Sequence, residues 1–178
     1  MLLSSSLAVA QQKDSPQSNF IVYRSLSYGF SIQYPKTWEK HNGADYAVAF
    51  VRPKNSAGTS GGENLLIHVF NLSTATGQTL DDQAALNVKQ LKTSYPNLII
   101  MGPHPTTLAN LPAREIHIAA PGPSGSIVKT MEVLLLKDHK VYAFAYSADK
   151  TTYDAYFPAI KQMLDSFKFS GASESPSR

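Results

Sequence analysis

The sequence contains no cysteine among its 178 residues. This absence excludes disulfide bonds, thiolate ligands for a metal and a cysteine nucleophile. It also excludes the lipid-modified cysteine that anchors a bacterial lipoprotein to a membrane. A chain without cysteine suits oxidising and reducing compartments equally, so cysteine usage does not indicate where the protein works.

Charged residues and long hydrophobic runs are both scarce. The chain has 16 Lys and Arg against 13 Asp and Glu, a formal net charge of +3. The basic residues are spread along the chain, whereas nucleic-acid-binding proteins concentrate them in stripes, so nucleic acid is not an expected partner. No segment approaches the ~20 apolar residues of a membrane-spanning helix, so we expect no membrane insertion of the mature chain.

The first ten residues differ in composition from those that follow. Residues 2–10 read LLSSSLAVA, an apolar and small-residue stretch that ends in an A-x-A pattern, and polar QQKDSPQSN follows. This is typical of the second half of a secretory signal peptide, here without a basic beginning. An unstructured tail is the alternative. The signal-peptide interpretation predicts an extracytoplasmic protein.

The length and composition fit a single globular domain. We assign residues 1–19 to a signal-peptide remnant and linker, residues 20–169 to the domain, and residues 170–178 (SGASESPSR) to a disordered polar tail.

Alternation of apolar and polar residues predicts strands through most of the domain. They cover residues 20–23, 30–34, 46–51, 65–72, 98–101, 114–119, 131–136 and 141–147. The last two flank a polar turn and therefore predict a β-hairpin. The Pro- and Thr-rich residues 102–112 are interpreted as a connector between two strands.

Two segments have helical periodicity. The first begins at Thr79, a hydroxyl N-cap with an acidic residue three positions later, and ends before Pro96. The second carries apolar residues from Tyr153 to Phe167 on one broad stripe, and Pro158 should kink it or end its first turn. A mostly antiparallel sheet covered by helices would bury the apolar faces of both the strands and the helices, so we predict an α+β fold.

Catalytic motifs are missing from the sequence. It contains no nucleophile elbow (G-x-S-x-G between a strand and a helix), no H-E-x-x-H or Walker pattern and no dinucleotide fingerprint after a strand. We therefore expect a protein that is not an enzyme and that needs no cofactor.

Metal binding is the more open question, because the chain has five histidines. His41 with Asp45, and Asp138 with His139, are pairs close enough in sequence to share a Zn²⁺ or Mn²⁺ ion. Two ligands fall short of the tetrahedral set of a structural zinc site, so a divalent metal is only a weak candidate. His68 lies in an apolar strand and is interpreted as a core or interface histidine.

Aromatic residues cluster where the second helix begins. Tyr153, Tyr156 and Phe157 are candidates for a partner-binding surface, since aromatic side chains are enriched at interfaces. Core packing is the alternative, because an amphipathic helix shows the same stripe.

Four segments carry a resemblance to a known family. They are YGFSIQYPKTWEK at residues 28–40, LPAREI at 111–116, KDHKVYAFAYSA at 137–148, and the helix with Tyr153, Pro158, Met163 and Ser166-Phe167. The chain resembles PsbP, the extrinsic subunit family of the photosystem II oxygen-evolving complex, and its PsbP-like relatives.

The resemblance implies an α/β/α sandwich and a non-enzymatic protein that binds or assembles a membrane-protein complex from the aqueous side. That complex would be photosystem II, with a lumenal location, if the host is photosynthetic. Some family members are thought to bind metal at two positions that fall near Lys129 and Asp149 here. Lysine is a poor ligand, so we do not carry that site over.

Two other functions fit the same fold. One is a carrier of a small ligand or metal ion, with a pocket between the sheet and the helices. The other is a Ran-GTPase-binding import factor, whose family shares the sandwich.

Overall fold

The computed structural model describes residues 19–54, 62–72 and 78–170. The predicted leader and tail lie almost wholly outside these ranges. Within the ranges, the strands are β1 (Phe20–Ser25), β2 (Phe30–Pro35), β3 (Glu39–His41), β4 (Val48–Val51), β5 (Asn64–Asn71), β6 (Ile99–Leu108), β7 (Leu111–Pro121), β8 (Ile127–Lys137), β9 (Lys140–Asp149) and β10 (Lys168–Phe169). The helices are α1 (Leu80–Ser94) and α2 (Lys150–Asp165), and a 3₁₀ turn covers Pro123–Gly125.

Seven of these strands form one sheet in the order β3-β4-β5-β9-β8-β7-β6. Each neighbouring pair is antiparallel. Strand β9 is central in this order, and its side chains alternate between the two faces. Val141 and Ala143 lie on the face that α1 covers, whereas Tyr142, Phe144 and Tyr146 lie on the opposite face.

The opposite face is covered by α2 together with a second, three-stranded sheet, β1-β2-β10. Aromatic rings fill the space between them: the centroid of Phe167 lies 5.4 Å from that of Phe30 and 4.8 Å from that of Phe144. Trp38 is buried in the same cluster. The molecule is thus an α/β/α sandwich with a mostly antiparallel central sheet, which confirms the predicted fold class.

The hairpin between β8 and β9 forms as predicted. Lys137 pairs with Lys140, which leaves Asp138 and His139 as a two-residue turn, with φ of 50° and 58°. Positive φ at both positions is the signature of a type I′ turn, which matches the twist of the strands it joins. Asp and His are among the non-glycine residues that most readily adopt this conformation.

The predicted connector at residues 102–112 is wrong. Most of it is strand: β6 continues to Leu108 and β7 begins at Leu111, with Ala109 and Asn110 as another two-residue turn of positive φ. Strand β6 is the last in its sheet among the described residues. An edge strand has a neighbour on one side only, so it tolerates Pro103 and Pro105, which have no backbone N–H to donate. A bulge between Met101 and His104 absorbs the irregularity.

Pro158 does not end the first turn of α2, which runs unbroken through it. Proline removes one helical hydrogen bond. Packing of Ile160 and Met163, both fully buried, supports the helix beyond this point. Of the helices that the structure describes, neither combines the length and the hydropathy needed to cross a membrane.

Helix α1 begins at the predicted cap. The Thr79 hydroxyl accepts a hydrogen bond from the Asp82 backbone N–H at 3.2 Å, and the Asp82 carboxylate accepts one from the Thr79 N–H at 2.9 Å. We expect Thr79→Ala to lower the free energy of unfolding by about 1 kcal/mol, because it leaves a helix N–H without its partner. Urea denaturation followed by circular dichroism measures this loss.

Thr93→Ala is the matched control, since Thr93 lies in the exposed last turn of the same helix. Its effect should stay within about 0.5 kcal/mol. Equal losses for the two variants would contradict a specific role for the cap.

Candidate functional site

The most exposed apolar side chains of the central sheet lie where β6 begins. Ile99 is 67% exposed and Met101 is 60% exposed. Register places Ile99 beside Ala119 of β7, and Ala119 beside Lys129 of β8, on the face that carries α2. Tyr153, in the first turn of α2, completes the group. We call these five residues the β6-edge patch.

The β6-edge patch surrounds a small cavity of about 160 Å³. Lys129 lies at its rim: its Nζ is 5.1 Å from the centroid of the Tyr153 ring and 3.9 Å from Asp154 Oδ2. The patch therefore combines apolar walls with one cation held in place by an aromatic ring.

The backbone beside this patch is also available for pairing. Strand β6 pairs with β7 alone among the described strands, so the outer N–H and C=O groups of Ile99–Met101 face away from the sheet. A sheet edge of this kind can accept a strand from another polypeptide.

The three aromatic residues predicted as a partner-binding surface have different surroundings. Tyr153 is only 8% exposed, and it packs against Tyr146 at 4.7 Å and Phe157 at 6.0 Å between ring centroids. Burial raises the pKa of the Tyr153 hydroxyl to about 12. Tyr156 lies under the guanidinium of Arg52, 4.4 Å from the ring centroid. Of the three, Tyr153 lines the cavity of the β6-edge patch.

Arg52 and Glu63 form an ion pair beside Tyr156. Arg52 Nε donates to Glu63 Oε2 at 2.6 Å, and Glu63 is 3% exposed. Burial pushes the pKa of Glu63 up, but hydrogen bonds from Arg52 and Thr152 outweigh it, and the pKa lies below its usual value. Glu63 therefore stays ionised at neutral pH.

A second concave region lies on the other face of the sheet, beside α1. It has two lobes of about 650 and 490 Å³, and His68 of β5 and Glu132 of β8 line both lobes. The floor between them is β9, where Ala143 faces His68 and Ala145 faces Glu132 in the register. We call this region the α1 groove.

The residues predicted as metal ligands have contacts with other groups in the structure. His41 Nε2 is 3.3 Å from Glu39 Oε2, and the backbone carbonyl of Asp45 accepts a hydrogen bond from His68 Nδ1 at 2.9 Å. Asp138 pairs with Lys137 at the hairpin turn that His139 shares. In the described part of the chain, no group of three or more His, Asp or Glu could hold a metal ion. The two proposed pairs stay predictions.

The positions that the family resemblance points to also have structural contacts. Lys129 contacts Tyr153, and Asp149 caps α2 by accepting from the Thr151 N–H at 2.9 Å. Hydrogen bonds from the Thr151 backbone and hydroxyl lower the pKa of the Asp149 carboxyl. Lys129 thus pairs with Asp154 and Asp149 serves as a helix cap, so the structure gives each of the two side chains its own partner.

Sequence reasoning missed the residues that shape both concave regions. Ile99 and Met101 were placed on a strand, but exposure cannot be read from alternation alone. Glu132 did carry a signal, since it is the one charged residue inside the apolar run MEVLLL. A lone carboxylate in such a run either meets a partner or lines a cavity.

Comparison with solved structures shows the same fold in distant proteins. The cyanobacterial PsbP (CyanoP) of Synechocystis is 12% identical, with 94% of this chain and 98% of that chain covered and a TM-score of 0.62. LpqN of Mycobacterium tuberculosis, described as involved in cell envelope biogenesis, is 11% identical, with 80% and 83% covered and a TM-score of 0.61. The Ran-binding protein Mog1p of Saccharomyces cerevisiae is 9% identical, with 87% and 97% covered and a TM-score of 0.57.

No curated protein matches the sequence. A family model described as PsbP-like protein, however, matches residues 4–169, nearly the whole chain. That match agrees with the segments that carry the resemblance in the sequence and with the sandwich seen in the structure. The chain belongs to the PsbP-like protein family.

Proposed function

We propose that this protein is a non-enzymatic binding or assembly factor that docks on the aqueous side of a membrane-protein complex through the β6-edge patch. The observation that carries the proposal is the pair Ile99 and Met101, two large apolar side chains more than half exposed beside a sheet edge that no other described strand covers. Apolar groups exposed together in this way mark interaction sites more often than isolated ones do.

The chemistry of the patch defines the partner surface that would fit. The small cavity accepts one apolar side chain, the outer backbone of β6 can pair with an extended segment, and Lys129 favours an acidic neighbour. The matching surface is an extended segment with an apolar anchor next to Asp or Glu, presented by a domain outside the bilayer.

An extracytoplasmic location is part of the proposal. The A-x-A pattern before residue 11 supports it. The fold is shared with a cyanobacterial PsbP and with a protein involved in cell envelope biogenesis. In a photosynthetic host the partner would be photosystem II. A Ran-binding role is the competing proposal, because Mog1p has the same fold. The export pattern favours the membrane-complex role.

The docking proposal predicts the effect of two charges placed in the patch. Ile99→Lys combined with Met101→Lys should reduce binding of the purified protein to host membrane vesicles at least tenfold, because two desolvated apolar anchors become hydrated cations. Vesicles that expose the extracytoplasmic face and vesicles of opposite orientation are compared by co-sedimentation. Binding is expected to the first kind alone.

Val22→Lys is the control, because Val22 is 53% exposed and lies on β1, the outer strand of the small sheet. It should bind like the unchanged protein. Equal binding by the patch variant, or binding to the cytoplasmic face alone, would overturn the proposal.

A further inference from the structure

The α1 groove has the size and lining of a small-molecule site. Its lobes of about 650 and 490 Å³ each lie within the range of about 300–1,000 Å³ that ligand pockets occupy. Leu91, Leu98 and Ile118 supply apolar walls to the larger lobe. The groove lies on the face of the sheet opposite α2 and the side chains of the β6-edge patch.

The groove exists because β9 has small side chains at its floor. Where α1 packs closely, Ala84 meets Ile116 and Leu134 in a filled core. Ala143 closes that core and is 4% exposed, and further along the same face Ala145 is half-buried and carries only a methyl group. The space that larger side chains would occupy stays open beside the helix.

Two hydrogen-bond acceptors face this space from opposite sides. His68 and Glu132 lie on strands that flank β9 and are offset by two residues along it, so their Cα atoms are about 12 Å apart. His68 Nδ1 contacts the Asp45 carbonyl oxygen at 2.9 Å, and a carbonyl can only accept, so Nδ1 carries the proton. In the neutral ring, Nε2 is then an acceptor.

Glu132 is the second acceptor. Asn87 of α1 donates to its Oε2 at 2.9 Å and is the one side chain among the described residues that hydrogen-bonds it. Burial raises the pKa of Glu132, while the Asn87 bond and the nearby His68 oppose this. The carboxylate therefore pays a desolvation cost that a cationic partner would offset.

We infer that the α1 groove binds a small apolar molecule bearing a protonated amine, with the ammonium between Glu132 and His68 and the apolar body along the alanine floor. Two acceptors require a ligand that donates at least two hydrogen bonds, and an ammonium has three donors. A carboxylate ligand would meet Glu132 as a like charge, and an alcohol would leave the charge of Glu132 unpaired. This inference concerns a different face from the proposed docking function and stands without it.

Three probes with the same body and different head groups test the inference: 2-(1-naphthyl)ethylamine, 2-(1-naphthyl)ethanol and 3-(1-naphthyl)propionate. Each is titrated into the full chain at pH 8, which favours the ionised carboxyl and keeps the amine protonated. Backbone amide shifts in NMR spectra give both the affinity and the site. The amine should bind at least tenfold more tightly than the alcohol, and the propionate most weakly, with the largest shifts at Glu132, Ala143 and Ala145.

Two variants separate the charge from the shape of the groove. Glu132→Gln keeps an acceptor for Asn87 but removes the charge, so the amine should lose its tenfold advantage while the alcohol binds as before. Glu39→Gln removes one carboxylate from exposed strand β3 and should change neither affinity. Ala145→Leu fills the floor and should weaken both probes, whatever their head group.

Several results would overturn the inference. They are equal binding of amine and alcohol, an amine preference that survives Glu132→Gln, shifts centred on Ile99 rather than on the groove, or no binding of any probe.

Discussion

Replacing Phe167 by alanine is expected to lower the free energy of unfolding by about 4 kcal/mol. Phe167 is 2% exposed and follows α2, at the point where the helix, the small sheet and the central sheet meet. Its ring contacts Phe30 of β2 and Phe144 of β9. Truncation would leave a cavity lined by these rings and by that of Phe169 of β10, which cannot all move inward together.

Guanidinium denaturation, followed by both tryptophan fluorescence and circular dichroism, measures this loss. Tyr95→Ala is the control, because Tyr95 is 61% exposed and its truncation should cost no more than about 0.5 kcal/mol. A loss below about 1.5 kcal/mol for Phe167→Ala would mean that the core collapses around the missing ring, contrary to the interlocked packing described above.

Glu63→Ala is expected to cost about 3 kcal/mol, because it leaves the Arg52 guanidinium without its counter-ion. Arg52 is only 17% exposed in its side chain, and its Nη2 is already buried without a hydrogen-bond partner among the described residues. Removing one member of such a pair costs more than the pair itself contributes. The double variant Arg52→Met with Glu63→Leu should therefore recover most of the loss.

The pH dependence of this loss gives an independent check. Because the folded-state pKa of Glu63 lies below its usual value of 4.5, its ion pair stabilises the fold above that pH and is lost as the pH falls through the folded pKa. The difference in free energy of unfolding between the unchanged protein and Glu63→Ala should be largest at pH 7 and should decrease below pH 4.5. Glu39→Ala, an exposed residue paired with His41, serves as the control. A gap that stays constant with pH would contradict the ion-pair account.

Most of the architecture was predictable because local signals agreed with the tertiary structure. The Thr79 cap, the hairpin across residues 137–140, and the stripe on α2 each depend on neighbouring residues, and each appears as predicted. The prediction of a connector was wrong at residues 102–108, because proline is excluded from interior strands but tolerated in an edge strand. Whether β6 lies at an edge depends on the order of all the strands in the sheet. The two-residue strand β10 is likewise too short to leave a pattern.

The candidate sites were predictable only in part. Tyr153 was selected for its aromatic character, and it does line the cavity of the β6-edge patch. Its neighbours Ile99 and Met101 come from a strand more than fifty residues earlier, which no periodicity connects to α2. The α1 groove depends on Ala143 and Ala145. Alanine is common in strands, so these residues indicate a groove only once the positions of β5 and β8 beside them are known.

The pairing of β10 with β2 has a consequence for how the chain is made. Phe169 lies beside Phe30, so one edge of β2 has its partner at the far end of the domain. At about 5–20 residues per second, a ribosome needs on the order of ten seconds to reach that partner after β2 has been synthesised. During this time that edge of β2 lacks the partner that covers it in the folded domain. A chaperone that recognises extended apolar segments would meet its substrate there, and a chain released before residue 169 would keep that edge open.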